Sequence, residues 1–356
     1  HCKAPHKDQQ TASTLTILGK MSPDNDPSPA EKLPSGPSID YNTNSPSTPS
    51  NAAIPGLGLA LGGGVARGWS HIGVLQRLDE LGIRPAYVCG TSVGALVAGF
   101  WLAGHLDALE AWTRSLNKRR LLSYLDVMLN GAGLIGGKRL EKTLHRYLPD
   151  MTIEDLPLPF VLVTTELATG HEIWLREGNL AQAIQAAYAL PGIFPPRMID
   201  GRWLMDGALV NPLPISVCRA LNARIVIGVG LHAGAFSNQS KAKRQKYTPT
   251  DDNDTASHAP KVPGGFARNA VFARLASRPA LSTPGLGDVM FSSFNILMDR
   301  TTRSRLAADP ADVLITPAVS HIPLIGFDEA DALIALGRES VDASVDAIML
   351  AIDQMS

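Results

Sequence analysis

The chain has 356 residues, 45% of them apolar and 18% charged, with a formal net charge of -1. That content supports a sizeable core and excludes disorder of the whole chain, and the near-zero charge offers no electrostatic footprint for nucleic acid. Three cysteines (Cys2, Cys89 and Cys218) are too few and too scattered for a disulfide framework or a zinc site.

Residues 1–53 are rich in Ser, Thr, Pro, Asn and Asp, and the absence of apolar periodicity predicts a disordered tail. A folded domain is expected over 54–353. It opens with "IPGLGLAL" (54–61), a strand bounded by turn residues, and a helix follows with Ile72, Leu75 and Leu78 at helical spacing and a stop at Gly82. "AYVCG" (86–90) predicts a second strand, in which Cys89 is a buried small hydrophobe. "VGALVAGFWLAG" (93–104) predicts a helix with the length of a core element. It falls short of the roughly 20 apolar residues of a membrane span, as does every other run, so any contact with a membrane or micelle is expected to be peripheral.

"VMLNGAGLIGG" (127–137) is apolar and glycine-rich, a candidate flap or a packed turn. Strands are predicted at 160–167, 172–177, 202–207, 223–231 and 312–319, and helices at 138–147, 180–188, 214–221, 289–305 and 327–348. The stretch 232–263 is polar and aperiodic and predicts a disordered loop; its Lys241, Lys243, Arg244 and Lys246 form a basic cluster. Strands and helices that alternate across short joints imply an α/β fold with a parallel sheet covered on both faces.

"LGGGVARGWSHIGVL" (61–75) offers backbone N–H groups to an anionic oxygen at a strand–helix junction. A dinucleotide site would need an acidic residue ending the second strand, and its third glycine at position 67. The second strand ends "VCGTSVGAL" without an acid, and position 67 is Arg, so a cofactor site is excluded there and no cofactor is expected. "GTSVG" (90–94) is instead a G-x-S-x-G motif between a strand and an apolar helix, the setting of a nucleophile elbow. Gly90 and Gly94 allow the tight turn, and the helix N-terminus points its positive dipole end at Ser92.

A serine nucleophile needs a base. His71, His232 and His321 have no motif around them and are read as structural. Asp206, in "RWLMDGALVNPLP", closes a strand at the edge where sites of parallel sheets assemble, though Asp-Gly also forms plain turns.

Taken together, "GGGVARG" with "HIGVL", "GTSVG", "ALPGIFPPRMIDGRWLMDG" and "DGALVNPLP" resemble the signature blocks of the patatin-like phospholipase family, in its bacterial form, over about 54–348. The resemblance implies a three-layer α/β sandwich with a mainly parallel central sheet and a Ser–Asp dyad without catalytic histidine. By position, Ser92 matches the nucleophile and Asp206 its base. Gly62, Gly63, Gly64 and Val65 match the oxyanion and substrate-binding loop, with Arg67 in its basic position. The chain departs from the family at Ala187, where serine is usual, and at Ala208, where glycine is frequent. The implied activity is hydrolysis of phospholipid or lysophospholipid esters through an acyl-enzyme, without metal. The alternatives are a general carboxylesterase or thioesterase, and a non-catalytic lipid-binding regulator. Asp206, at an ordinary carboxylate pKa near 3.9, is expected to be ionised at neutral pH.

Overall fold

The computed structural model describes residues 52–116, 138–231 and 286–355. The expected tail through residue 51, the flap candidate at 127–137 and the polar loop at 232–263 lie outside the described residues.

Among the described residues the strands are β1 (Ile54–Leu61), β2 (Pro85–Thr91), β3 (Phe160–Glu166), β4 (Glu172–Leu175), β5 (Arg197–Ile199), β6 (Arg202–Asp206), β7 (Ile225–Val229) and β8 (Val313–Ile315). The helices are α1 (Ser70–Glu80), α2 (Val93–Leu102), α3 (Leu106–Arg114), α4 (Lys138–Tyr147), α5 (Leu180–Ala187), α6 (Ile215–Ala220), α7 (Leu286–Ala308), α8 (Ala330–Asp342) and α9 (Val345–Asp353). Each strand and helix expected from periodicity is present, with one division. The helix expected at 327–348 is split into α8 and α9 around Ala343 and Ser344, where Ser344 Oγ bonds back to the Ser340 carbonyl at 2.8 Å and competes with the helical ladder. Two elements carried no signal, α3 just after the Gly104 turn and the three-residue β5.

Among the described residues the sheet holds eight strands, hydrogen-bonded in the chain of pairs β5-β6-β3-β2-β1-β7-β8, with β4 also paired to β3. Its centre, β3-β2-β1-β7-β8, is parallel. β4, β5 and β6 join antiparallel at one end, so the sheet is mainly parallel, as expected. Short hairpin joints impose the antiparallel pairing between β3 and β4 and between β5 and β6.

Side-chain alternation divides the core between the two faces. Leu57, Leu59 and Leu61 of β1 join Val88, Leu162 and Ile227 in the larger cluster, which takes in residues of α1, α2, α5 and α8. Ala60, Cys89, Val161, Val163 and Val226 face the other way, against Val217 and Cys218 of α6. Cys89 and Cys218 are free and buried, as the apolar runs predict. The result is an α/β sandwich with a mixed, mostly parallel sheet between helical layers. Among the described residues no helix is long and apolar enough to cross a membrane.

Candidate active site

The register of β3 creates the site. β2 pairs with residues 160–163 of β3 and β4 with 162–165, so these two lie on opposite edges. β6 pairs with 164–166, overlapping β4 and not β2, so β6 continues the edge that β2 occupies. β2 and β6 therefore run head-on toward each other along one edge of β3. β2 ends at Thr91, opposite Val163, and β6 ends at Asp206, opposite Thr164. Ser92 follows Thr91 directly, and the two termini deliver Ser92 and Asp206 to one point.

At that point Ser92 Oγ donates to Asp206 Oδ2 at 2.6 Å across 114 residues of sequence. Ser92 has φ 55 and ψ -128, a left-handed conformation that costs a non-glycine residue about 1–3 kcal/mol and persists only where the surroundings impose it. Gly90 and Gly94 allow the close packing that holds it. A Cβ on Gly90 would lie 2.6 Å from Ala95 Cα, and one on Gly94 would lie 2.3 Å from the Leu61 carbonyl oxygen, so neither tolerates a side chain. α2 begins at Val93, directing its N-terminus at Ser92.

Asp206 is fully buried and Ser92 is 7% exposed. Asp206 Oδ1 accepts from the Ala208 amide at 2.8 Å, its amide donates to the Ala189 carbonyl at 3.0 Å, and its carbonyl accepts from Thr165 Oγ1 at 2.9 Å. Burial pushes its carboxyl up to about 7, against the opposing pull of the Ser92 and Ala208 hydrogen bonds. The ordinary value near 3.9 expected from sequence is thus displaced by desolvation, which the sequence does not display.

The glycine loop lies over this pair. A Cβ on Gly63 would lie 3.2 Å from both Ser92 Cβ and Ala208 Cβ. The amides of Gly62 and Gly63 are occupied, donating to the carbonyls of Val229 and Pro212 at 3.0 and 2.9 Å. Among the described residues the amides of Gly64 and Val65 donate to no backbone carbonyl. Val65 has φ 52 and opens the 3-10 turn Val65–Trp69 that leads into α1.

Arg67 turns away from the pair. Its Nε and Nη2 donate to the carbonyls of Ile322 and Ser320 at 2.8 and 3.1 Å, tying the loop to the chain after β8, and burial lowers its pKa. His71 is fully buried below the loop with Nε2 2.8 Å from the Gly62 carbonyl. Burial lowers its pKa to about 4, so the ring is neutral near pH 7 and the nitrogen facing the carbonyl carries the proton. His321 is exposed in the loop after β8, and His232 lies outside the described residues.

Sequence reasoning missed a supporting network. Glu172 of β4 accepts from Asn211 Nδ2 at 2.9 Å and Trp174 Nε1 at 2.8 Å, and pairs with Arg305 of α7 at 3.1 Å. The Asn211 carbonyl in turn accepts from Thr91 Oγ1 at 2.9 Å, so the residue before Ser92 is bound to the loop after Asp206. Asn211 stands in the quoted "DGALVNPLP" block; nothing local marks Glu172 or Arg305.

Comparison with known proteins agrees with the resemblance. The family profile described as Patatin-like phospholipase matches residues 59–219. An uncharacterized NTE family protein of Mycobacterium tuberculosis is 31% identical over 344 residues, covering 85% of this chain and 95% of its own length. Patatin-like phospholipase domain-containing protein 6 of Homo sapiens is 33% identical over 180 residues, 49% of this chain and 13% of that protein. Neuropathy target esterase sws of Drosophila melanogaster is 34% identical over 181 residues, with the same shares of 49% and 13%. With a relative matched over nearly its whole length, and with the family's glycine loop, elbow and Asp-Gly turn gathered at the ends of β1, β2 and β6, this chain belongs to the patatin-like phospholipase family.

Proposed function

We propose that the chain is a lipid acyl hydrolase that cleaves phospholipid or lysophospholipid esters through Ser92 and Asp206. The observation that carries this reading is the 2.6 Å hydrogen bond from Ser92 Oγ to the buried Asp206 carboxylate, made from a strained turn at a helix N-terminus.

Ionised Asp206 takes the proton of Ser92 Oγ as that oxygen attacks the ester carbonyl. The amides of Gly64 and Val65 are the proposed donors to the oxyanion, with the α2 N-terminus adding a favourable field; loss of one such donor costs typically about 3–4 kcal/mol of transition-state stabilisation. Gly62 and Gly63, whose amides are engaged, shape the loop. Asp206 then returns the proton to the leaving alcohol, and it accepts a proton from the water that hydrolyses the acyl-serine. A carboxyl held at about 7 suits both directions of transfer near neutral pH. No step calls for a metal.

Ser92→Ala and Asp206→Asn are each expected to remove nearly all hydrolysis of lysophospholipid and of a soluble short-chain ester, with the double variant little worse, because the two act as one unit. A fluorophosphonate probe is expected to label wild type at Ser92. An Asp206→Asn enzyme that keeps most of its activity would overturn the dyad, and absence of labelling would favour a lipid-binding regulator.

A further inference from the structure

A cavity of about 230 Å³ lies between α4, α5 and β5, outside the catalytic contacts. Its polar lining comes from Glu141 and His145 of α4, Gln182 and Gln185 of α5, and Arg197 of β5. Gln185 is 2% exposed, and its Nε2 has no hydrogen-bond partner among the described residues. Buried polar groups are nearly always paired, so an unpaired amide that lines a cavity points to an acceptor supplied from outside the chain.

The charges select what that acceptor belongs to. Arg197 Nη2 is 3.1 Å from Glu141 Oε2, so the one guanidinium among the described lining residues is met by a carboxylate. A phosphate would face Glu141, and an ammonium would face Arg197; either meets a like charge. What remains is a neutral group that donates and accepts alternately. Hydroxyls do both, the carboxylate and amide oxygens can accept from them, and the Gln185 amide, Arg197 and the His145 ring can donate to them. The space holds several waters at about 30 Å³ each, which an organic group of similar volume and matching hydrogen bonds can displace. Ile199 adds an apolar wall for the carbon face of such a group.

The cavity also lies close to the reacting groups along the chain. Gln185 precedes Ala189, whose carbonyl holds the Asp206 amide, by four residues. Arg197 pairs with Leu204, two residues before Asp206. At about 4.8 Å between paired strands and about 3.3 Å per strand residue, the path from Arg197 through Leu204 to Asp206 covers roughly 11 Å.

We infer that this cavity is a subsite for a neutral, hydroxyl-rich group (a glycerol, inositol or sugar unit), free or borne on the alcohol side of an ester substrate. The link to catalysis rests on the hydrolase proposed above; binding of the polyol itself does not.

Two arms test it. In the first, ligand-observed NMR titrates the full Ser92→Ala chain with glycerol, myo-inositol, methyl glucoside and inorganic phosphate. At least one polyol is expected to bind saturably and to weaken about tenfold in Gln185→Met and in Gln182→Ala, the weight of one hydrogen bond. Gln182 is exposed, so its variant keeps the measurement interpretable if Gln185→Met folds poorly. In the second, kcat/KM is compared for a monoacylglycerol and for the methyl ester of the same acid, and their ratio is expected to fall about tenfold in both variants. Variant-sensitive binding of free polyol supports a free ligand, and a fall in the ratio alone supports a polyol borne on lipid. Binding of phosphate alone, or neither polyol binding nor a change in ratio, overturns the inference. Hydrolysis that survives Ser92→Ala would overturn the dyad and leave the first arm to decide this site.

Discussion

Asp206 and His71 are both buried and titrate in opposite senses. If Asp206 is the base, kcat/KM on a soluble ester should rise with pH along a limb with an apparent pKa of about 7 and level off above it. A limb near 4 would mean that the carboxyl is far better solvated than its burial indicates. The same displacement bears on stability. A carboxyl whose folded pKa lies above its unfolded value contributes stability that is full below about 3.9 and lost as pH rises through about 7. Asp206→Asn should therefore raise the unfolding midpoint most above pH 7 and least near pH 4, with an upper limit of about 4 kcal/mol. His71 acts the other way. Its folded pKa of about 4 lies below the unfolded 6.5, so its contribution is present above pH 6.5 and lost as pH falls through about 4. Denaturant unfolding of His71→Gln between pH 4 and 7 should show a flatter acid limb than wild type, together with a lower plateau near pH 7 from the lost contact to Gly62.

At the scale of elements, α1 and α8 cross at backbone contact. A Cβ on Gly337 would lie 2.0 Å from the Ser70 carbonyl oxygen, and one on Gly73 would lie 1.9 Å from that of Ile334. Neither backbone can yield cheaply, so Gly337→Ala should lower stability by about 1–3 kcal/mol or more, read from the denaturation midpoint. Both glycines were visible in the sequence; their crossing was not, because helical periodicity reports a buried face and not the partner it meets. The Glu172 network has the same character. Glu172→Ala would release Asn211 and Arg305 together, and the loop after Asp206 would lose its tie to α7. Its expected signature is a fall in kcat of about 10–100-fold with a smaller change in KM, because geometry is lost and contact area is not. A rise in KM with kcat unchanged would show that Glu172 acts on substrate binding.

At the scale of the whole molecule, the local rules were sufficient to identify most elements. Apolar periodicity located every strand and helix except α3 and β5, and turn residues ended them, because those signals arise from neighbours within a few positions. The elbow was legible for the same reason. Gly90, Ser92 and Gly94 lie within five residues, and the strain they create is local. The sequence also determined the family, through four blocks whose order and spacing are readable without coordinates. Only the tertiary structure decided that β2 and β6 abut along one edge of β3, which joins residues 92 and 206, and that β4, β5 and β6 run antiparallel. It alone showed that the Gly62 and Gly63 amides are occupied and that Arg67 faces the chain after β8. The raised Asp206 carboxyl and the unpaired Gln185 amide belong to the same class. Desolvation and hydrogen-bond satisfaction depend on every element packed around a group, and no short window of sequence contains that sum.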